Sequence, residues 1–475
     1  MKLFIINWGG KELGMIEAVR ELKKEHRIAY WTCANIAKEV VPKEFPETVL
    51  HEHMDALHGI PARGLSCDIP PVDPELLEKL YETESLVLTM MNKHFEKKTV
   101  SERKFLYHTL VGYWDAILKR YRPDAVVFPT VPHSVYDFVI YALARRSGIR
   151  TVMMEPTWVG DRMIVMSDYL HGQERADSLI VSDSLDGLPS DLRREYELHR
   201  QAGADATPVF VRDIKRRYSG AGLLFIKARS MLTTLFAHKD FSVLPKVFSA
   251  PFKRFRPNLK KEYERVAVGA DFSKPYLYFP LHYQPERNSS PQGGIFVDQI
   301  LLVGTLSAAL PEGWTLYVKE HPTQWLYRGF GYFSYRFKGY YKAVAKIKNV
   351  RVVPIETSTY DLTKHALAVA TITGTAGFEA VMRRKPVLVF GYPWYRHAPG
   401  IFKVRSVSSC QEAIRKIING FSISESDLVE YLHHFDAATF HGYIDRDGQK
   451  VSVLSPEENA RALAGAIASV FAKSA

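Results

Sequence analysis

The run Thr371-Ile372-Thr373-Gly374-Thr375-Ala376-Gly377-Phe378-Glu379-Ala380, followed by Lys385-Pro386-Val387-Leu388-Val389-Phe390-Gly391, decides the fold. Residues 367–372 are apolar enough for a buried strand, 377–384 carry a helical pattern, and 386–391 form a second buried strand. Strand, helix and strand in so short a span is the unit of a parallel sheet. The glycines let the backbone approach a ligand closely, and Thr373 and Thr375 add hydroxyl groups. The helix start adds N–H groups and the positive end of a dipole, so the corner suits a phosphate. The same residues also suit a plain strand-to-helix turn with threonine as its cap. Glu379, one turn on, is a candidate for a ribose hydroxyl or simply faces solvent.

The rhythm extends upstream. Strands are expected at 276–280, 315–319 and 350–353, and helices at 297–310, 360–365, 410–419 and 457–472. The first part of the chain has the same logic. A strand at 3–7 leads through Gly9-Gly10 to a helix at 11–24, and a second strand is expected at 28–31. Long helices follow over 74–120, and a strand–helix–strand unit runs from 124 to 154. Two Rossmann-like α/β domains facing across a cleft are therefore expected. Their loops at the carboxyl ends of the strands should point into that cleft. The expected units are 1–205, a basic connector at 206–268, a second domain at 269–455 and a terminal helix at 456–475.

Composition agrees with a folded chain. The 475 residues are 46% hydrophobic and 24% charged. Three dispersed cysteines, Cys33, Cys67 and Cys410, build neither a disulfide framework nor a zinc site, which fits a cytoplasmic setting. No run approaches the roughly 18 apolar residues of a spanning helix. The net charge of +11 is concentrated: residues 212–265 hold 14 Lys/Arg and 4 Asp/Glu, interleaved with phenylalanines. Such a stretch suits either an anionic inner-membrane surface or a solvated linker, and nucleic acid is not an expected partner.

Two further motifs fall on expected strand ends. In Tyr317-Val318-Lys319-Glu320-His321-Pro322, the proline ends the strand and fixes a turn that presents His321. An imidazole there can hydrogen-bond a phosphate or base, and Lys319 can neutralise charge. In Phe279-Pro280-Leu281-His282-Tyr283-Gln284-Pro285-Glu286, His282 and Glu286 open the second domain at the cleft. There they either meet a ligand or fasten the linker.

These three motifs together resemble the bacterial capsule and surface-polysaccharide biosynthesis glycosyltransferases. That group includes transferases for 3-deoxy-manno-octulosonic acid (Kdo), and its His-Pro motif is shared with bacterial sialyltransferases. The resemblance covers residues 276–391 well and the first domain in layout. It implies a GT-B fold and a nucleotide-sugar donor, often a CMP-sugar such as CMP-Kdo, bound without metal. The donor-binding roles then fall to His321, Pro322, Thr373, Gly374 and Thr375. A Ser-Ser pair of the sialyltransferases is replaced here by Thr-Gly-Thr, which leaves UDP-sugars open. The implied acceptor is a lipid-linked or oligosaccharide glycan.

The catalytic group is expected from the first domain. Glycosyl transfer needs a group to take the acceptor's proton, or a nucleophile if configuration is retained, together with cations or dipoles for the departing phosphate. Glu155 and Asp137 are the first candidates and His133 the next, with Arg162 as an anion contact and Gly9-Gly10 as a further cleft element. His51-Glu52-His53 with His58 sits in what reads as a proline-flanked loop, without the helical spacing of a zinc site. Asp445-Arg446-Asp447 reads as a turn. The rival readings are a glycerol- or ribitol-phosphate transferase using a CDP-alcohol, a sugar-nucleotide epimerase, and a non-catalytic nucleotide-sugar-binding assembly subunit.

Overall fold

The computed structural model describes residues 1–65, 71–173, 184–201, 258–284, 286–287, 289–324 and 336–473. Most of the basic stretch 212–265 lies outside the described residues.

Thirteen strands among the described residues form two sheets. The first sheet uses β1 (Lys2–Ile5), β2 (Arg27–Cys33), β3 (Val49–Glu52), β4 (Ala125–Val127), β5 (Arg150–Pro156) and β6 (Arg162–Met166). The second uses β7 (Tyr276–Pro280), β8 (Thr315–Lys319), β9 (Val350–Val352), β10 (Ala368–Thr371), β11 (Val387–Val389) and β12 (Ile401–Lys403). A short β13 (Phe440–His441) completes the first sheet, whose order is β13-β6-β5-β4-β1-β2-β3; the second runs β12-β11-β10-β7-β8-β9. The second sheet is parallel throughout. Its central strands are buried along their length, as in sheets covered on both faces. Strand order reverses between β1 and β4 in one sheet and between β7 and β10 in the other. At such a reversal neighbouring loops diverge and leave a crevice at the carboxyl edge. The architecture is thus two doubly wound α/β domains in the GT-B layout.

Local chemistry sets the element ends. Helix Val100–Tyr121 opens on a reciprocal cap, Thr99 with Glu102, and stops where Arg122 turns left-handed at φ 45° before Pro123. Its buried face carries Tyr107, Leu110, Trp114 and Ile117, which pack into the first-domain core.

Several expected boundaries are corrected by tertiary packing. Helix Ser190–Arg200, expected within 1–205, buries Leu192 and Tyr196 beside Phe378 and Leu432 of the second domain, and the Tyr196 phenol donates to Glu425. Helix Leu259–Val266, expected in the connector, places Leu259 and Tyr263 in the second-domain core. Residues beyond 439 return to the first domain, because β13 pairs antiparallel with β6. Helix Pro456–Lys473 then sets Leu463 and Ile467 in the core that holds Ile16 and Val19. The Asn459 amide locks that return, donating to the carbonyls of Leu13 at 2.8 Å and Tyr443 at 2.9 Å. His51 and Glu52 lie on β3 and His53 opens helix His53–Leu57, so this segment is not a loop. Asp445 caps helix Arg446–Val451, donating nothing and accepting the Gly448 N–H, where a turn was expected. No described helix is long and apolar enough to cross a membrane.

Candidate functional site at the second-domain switch point

The loops after β7, β8 and β10 share one edge, since these strands are parallel neighbours. His282 leaves β7 and is buried between them. Its Nε2 accepts the Ile372 N–H at 3.1 Å and lies 3.0 Å from the Thr371 hydroxyl, which itself accepts the Gly374 N–H at 3.1 Å. Two donors on Nε2 put the ring proton on Nδ1. Burial, then the neighbouring His321 and Arg336, lower the His282 pKa to about 3, so the ring is neutral. His282 therefore shapes the threonine-glycine corner. A side chain at Gly374 would sit 2.9 Å from the His282 ring, which explains the glycine. Helix Thr375–Met382 starts at Gly374 with no side-chain cap.

His321 follows β8 on the same edge, its ring 6.0 Å from that of Tyr283. Its Nδ1 accepts the Thr323 N–H at 3.3 Å and lies 2.7 Å from the Thr323 hydroxyl, an arrangement that puts the ring proton on Nε2. Beneath it lies a pair that sequence reading passed over. Arg336 is fully buried and donates to Glu320 at 2.8 and 3.2 Å, to Gln284 at 2.7 Å and to the His282 carbonyl at 3.0 Å. Glu320 also accepts the Tyr341 phenol at 2.6 Å and the His321 N–H at 2.6 Å. One guanidinium thus ties the β7 loop to the β8 loop. Lys319 points elsewhere: its ammonium donates to the Thr357 carbonyl at 2.5 Å and the Thr359 hydroxyl at 3.0 Å.

The first domain reaches this edge through Glu155. The carboxyl is buried at the end of β5, and Gln292 of the second domain donates to its Oε1 at 2.8 Å. Its Oε2 is buried without a hydrogen-bond partner. Burial raises the Glu155 pKa, opposed by Arg287, the Gln292 amide and Arg396. Gln292 lies against the corner: its carbonyl accepts the Tyr392 N–H, and a side chain at Gly391 would meet that carbonyl at 2.6 Å and Thr373 at 2.9 Å. Arg287 donates to Thr130 across the interface. Arg396 does the same to the carbonyls of Tyr169 at 2.7 Å and Leu170 at 2.8 Å. None of Gln292, Arg287 or Arg396 was singled out from sequence. Tyr392-Pro393-Trp394-Tyr395-Arg396 did carry a signal, an aromatic and basic loop directly after a buried strand.

The remaining candidates separate. Asp137 and His133 stand at the first-domain reversal. The Asp137 Oδ1 accepts the Ser134 N–H at 2.6 Å, and burial raises its pKa to about 6 against three backbone N–H groups. His133 donates from Nδ1 to the Val131 carbonyl, and burial, then Arg287 and Lys93, lower its pKa to about 3. Gly9 and Gly10 are at the same reversal, with the Gly10 N–H on Glu39 at 3.2 Å. Arg162 does not contact the cleft as expected: it is buried in ion pairs with Asp191 at 2.5 Å and Asp436 at 2.8 Å. Two carboxylates saturate its charge. Glu379 pairs with Arg383 at 3.4 Å beside His199, facing helix Ser190–Arg200. The Glu286 side chain is exposed, while its carbonyl accepts the N–H groups of Ser289 and Ser290 at 3.2 Å.

Residues 296–434, which include the β8 and β10 loops, match the capsule polysaccharide biosynthesis protein family. No curated protein matches the chain. Among solved structures, the chain is similar to the β-Kdo 2,7 transferase of Thermosulfurimonas dismutans KpsC, with 11% identity, 74% of this chain and 88% of that chain covered, and a TM-score of 0.30. It is also similar to the UDP-GlcNAc 2-epimerase of Neisseria meningitidis bound to UDP-GlcNAc, with 12% identity, all of both chains covered and a TM-score of 0.25. The capsule-family segment contains His321 and the Thr373–Thr375 corner, whereas His282, Gln292 and Glu155 lie outside it.

Proposed function

We propose that the chain is a glycosyltransferase of capsule polysaccharide biosynthesis, moving a sugar from a nucleotide-sugar to a surface-glycan acceptor. The observation that supports this reading is that the loops after β7, β8 and β10 share one sheet edge, where Gln292, packed near Thr373, donates to the buried Glu155 of the opposite domain. The N–H groups at the start of helix Thr375–Met382 take the donor phosphate, and His321 donates from Nε2 to it. Glu155 takes the proton of the acceptor hydroxyl while that oxygen bonds the anomeric carbon. The bond from that carbon to the phosphate oxygen breaks, and its electron pair leaves with the nucleotide. In a retaining reaction Glu155 instead bonds the anomeric carbon as the bond to the nucleotide phosphate breaks; the acceptor oxygen then displaces the Glu155 carboxylate, and its proton passes to the departing phosphate. A CMP-sugar such as CMP-Kdo is favoured over a UDP-sugar by the resemblance of the three motifs. We further read the reaction as metal-independent, the leaving phosphate being met by backbone and imidazole donors.

His321→Ala is expected to weaken donor binding about tenfold, the order of one charge-assisted hydrogen bond. Calorimetry with CMP and UDP reads this, and unchanged affinity removes His321 from the site. A mass-spectrometric donor screen tests the reaction class, since turnover of CDP-glycerol in place of sugar nucleotides overturns the glycosyl reading. We also read 212–265 as a contact with the anionic inner leaflet, on its 14 Lys/Arg and interleaved phenylalanines. Flotation with anionic liposomes should fall when Lys253, Arg254, Arg256, Lys260 and Lys261 are neutralised. Undiminished flotation rejects that contact.

A further inference from the structure

A cavity of about 230 Å³ is lined by Trp394, His397, Asp427, Glu430, Tyr431, His434 and Phe435, with Gln173 from the first domain. Its wall is aromatic. Trp394 lies 5.3 Å from Phe435, which stacks on Tyr431 at 6.0 Å. Among the described residues its polar groups are two carboxylates, two imidazoles and an amide, with no lysine or arginine; Glu430 lies 3.6 Å from His434, and Asp427 accepts the Ser424 N–H. That inventory disfavours phosphates and carboxylated sugars, which would meet like charge with no compensating cation. It favours a neutral, hydroxyl-rich ring. Flat aromatic faces cover the C–H side of such a ring, while carboxylate and imidazole groups take its hydroxyl hydrogens and lone pairs.

The cavity is coupled to the donor corner through a few residues. Trp394 and His397 belong to the loop after β11, at the same carboxyl edge as Gly374. Tyr395, next to Trp394, donates its phenol proton to the Gly374 carbonyl. Arg396 holds that loop to Tyr169 and Leu170, just before Gln173. The aromatic hollow thus shares the loop after β11 with the residue that contacts the Gly374 corner.

We infer that this cavity binds a neutral sugar residue of the acceptor glycan, holding the growing chain while its end reaches Glu155. The inference rests on the transferase reading above. The test uses the whole protein on an array of neutral and acidic bacterial oligosaccharides, comparing wild type with Glu430→Gln and His397→Ala. Both positions are at the cavity and outside the donor corner, and Trp394→Phe serves as a third variant that keeps a ring. Binding to neutral glycans should weaken about tenfold or more in the first two variants, as expected when one hydrogen-bonding partner is removed. CMP and UDP affinity, measured on the same samples, should stay within twofold, and the melting temperature reports folding. Neutral-glycan binding that all three variants retain, binding to acidic glycans alone, or no glycan binding in a protein that binds nucleotide each overturns the inference. Absence of nucleotide binding instead strikes the transferase reading.

Discussion

Glu155→Gln is expected to lower the transfer rate by between about 10² and 10⁴ while donor affinity changes little. The substitution keeps the shape and leaves the Gln292 contact at Oε1 replaceable by an amide oxygen, so the interface should survive. What it removes is a carboxylate at this interface able to take a proton: Oε2 is buried with no hydrogen-bond partner among the described residues. The pH profile supplies a separate reading. Burial lifts the Glu155 pKa above the ordinary glutamate value of 4.5. The ionised form that accepts a proton is therefore lost as pH falls through that raised value. The acidic limb of kcat/KM should sit above the usual carboxylate range and vanish in the variant. Unaltered kcat would move the catalytic role to Asp137, whose pKa of about 6 is the next best placed.

Arg336→Met should cost about 3–5 kcal/mol of stability, the range found when one partner of a buried ion pair is removed. Glu320 would be left in the interior with the Tyr341 phenol and the His321 N–H but no cation. Denaturant unfolding of the purified protein measures this. A loss below 1 kcal/mol would mean that the loops hold themselves. Glu320→Gln with Arg336→Met removes both charges and should recover much of the loss, because the desolvated carboxylate is gone. Recovery of stability without recovery of donor affinity would show the pair's second task, which is to hold His282 and His321 in register.

Much of the second domain was legible because its strands are short apolar runs between polar helices. Residues 315–319, 368–371 and 387–389 could hardly be anything else in an alternating pattern. The threonine-glycine turn into helix Thr375–Met382 was legible for the same reason, although its residues read equally as a plain strand-to-helix turn. What escaped was decided by tertiary partners. β6 carries Arg162 beside Met163 and Met166, and only its pairing with β5 and the carboxylates of Asp191 and Asp436 make it a strand with a buried charge. β13 is two residues long and has no period to read. Glu320 was in view as part of a motif, but its arginine lies on the far side of a loop, and nothing local announces the pair. Gln292 is an amide among glycines, and its importance comes from what stands opposite it.

The return of β13 and helix Pro456–Lys473 to the first domain has a consequence for biogenesis. As the polypeptide emerges from the ribosome, β1–β5 and their helices appear early, yet the apolar face of Ile16 and Val19 stays uncovered until Leu463 and Ile467 have been translated. The second domain, encoded between them, can close its sheet first. Completion of the first-domain core therefore requires the carboxyl-terminal helix, which is translated after the whole of the second domain.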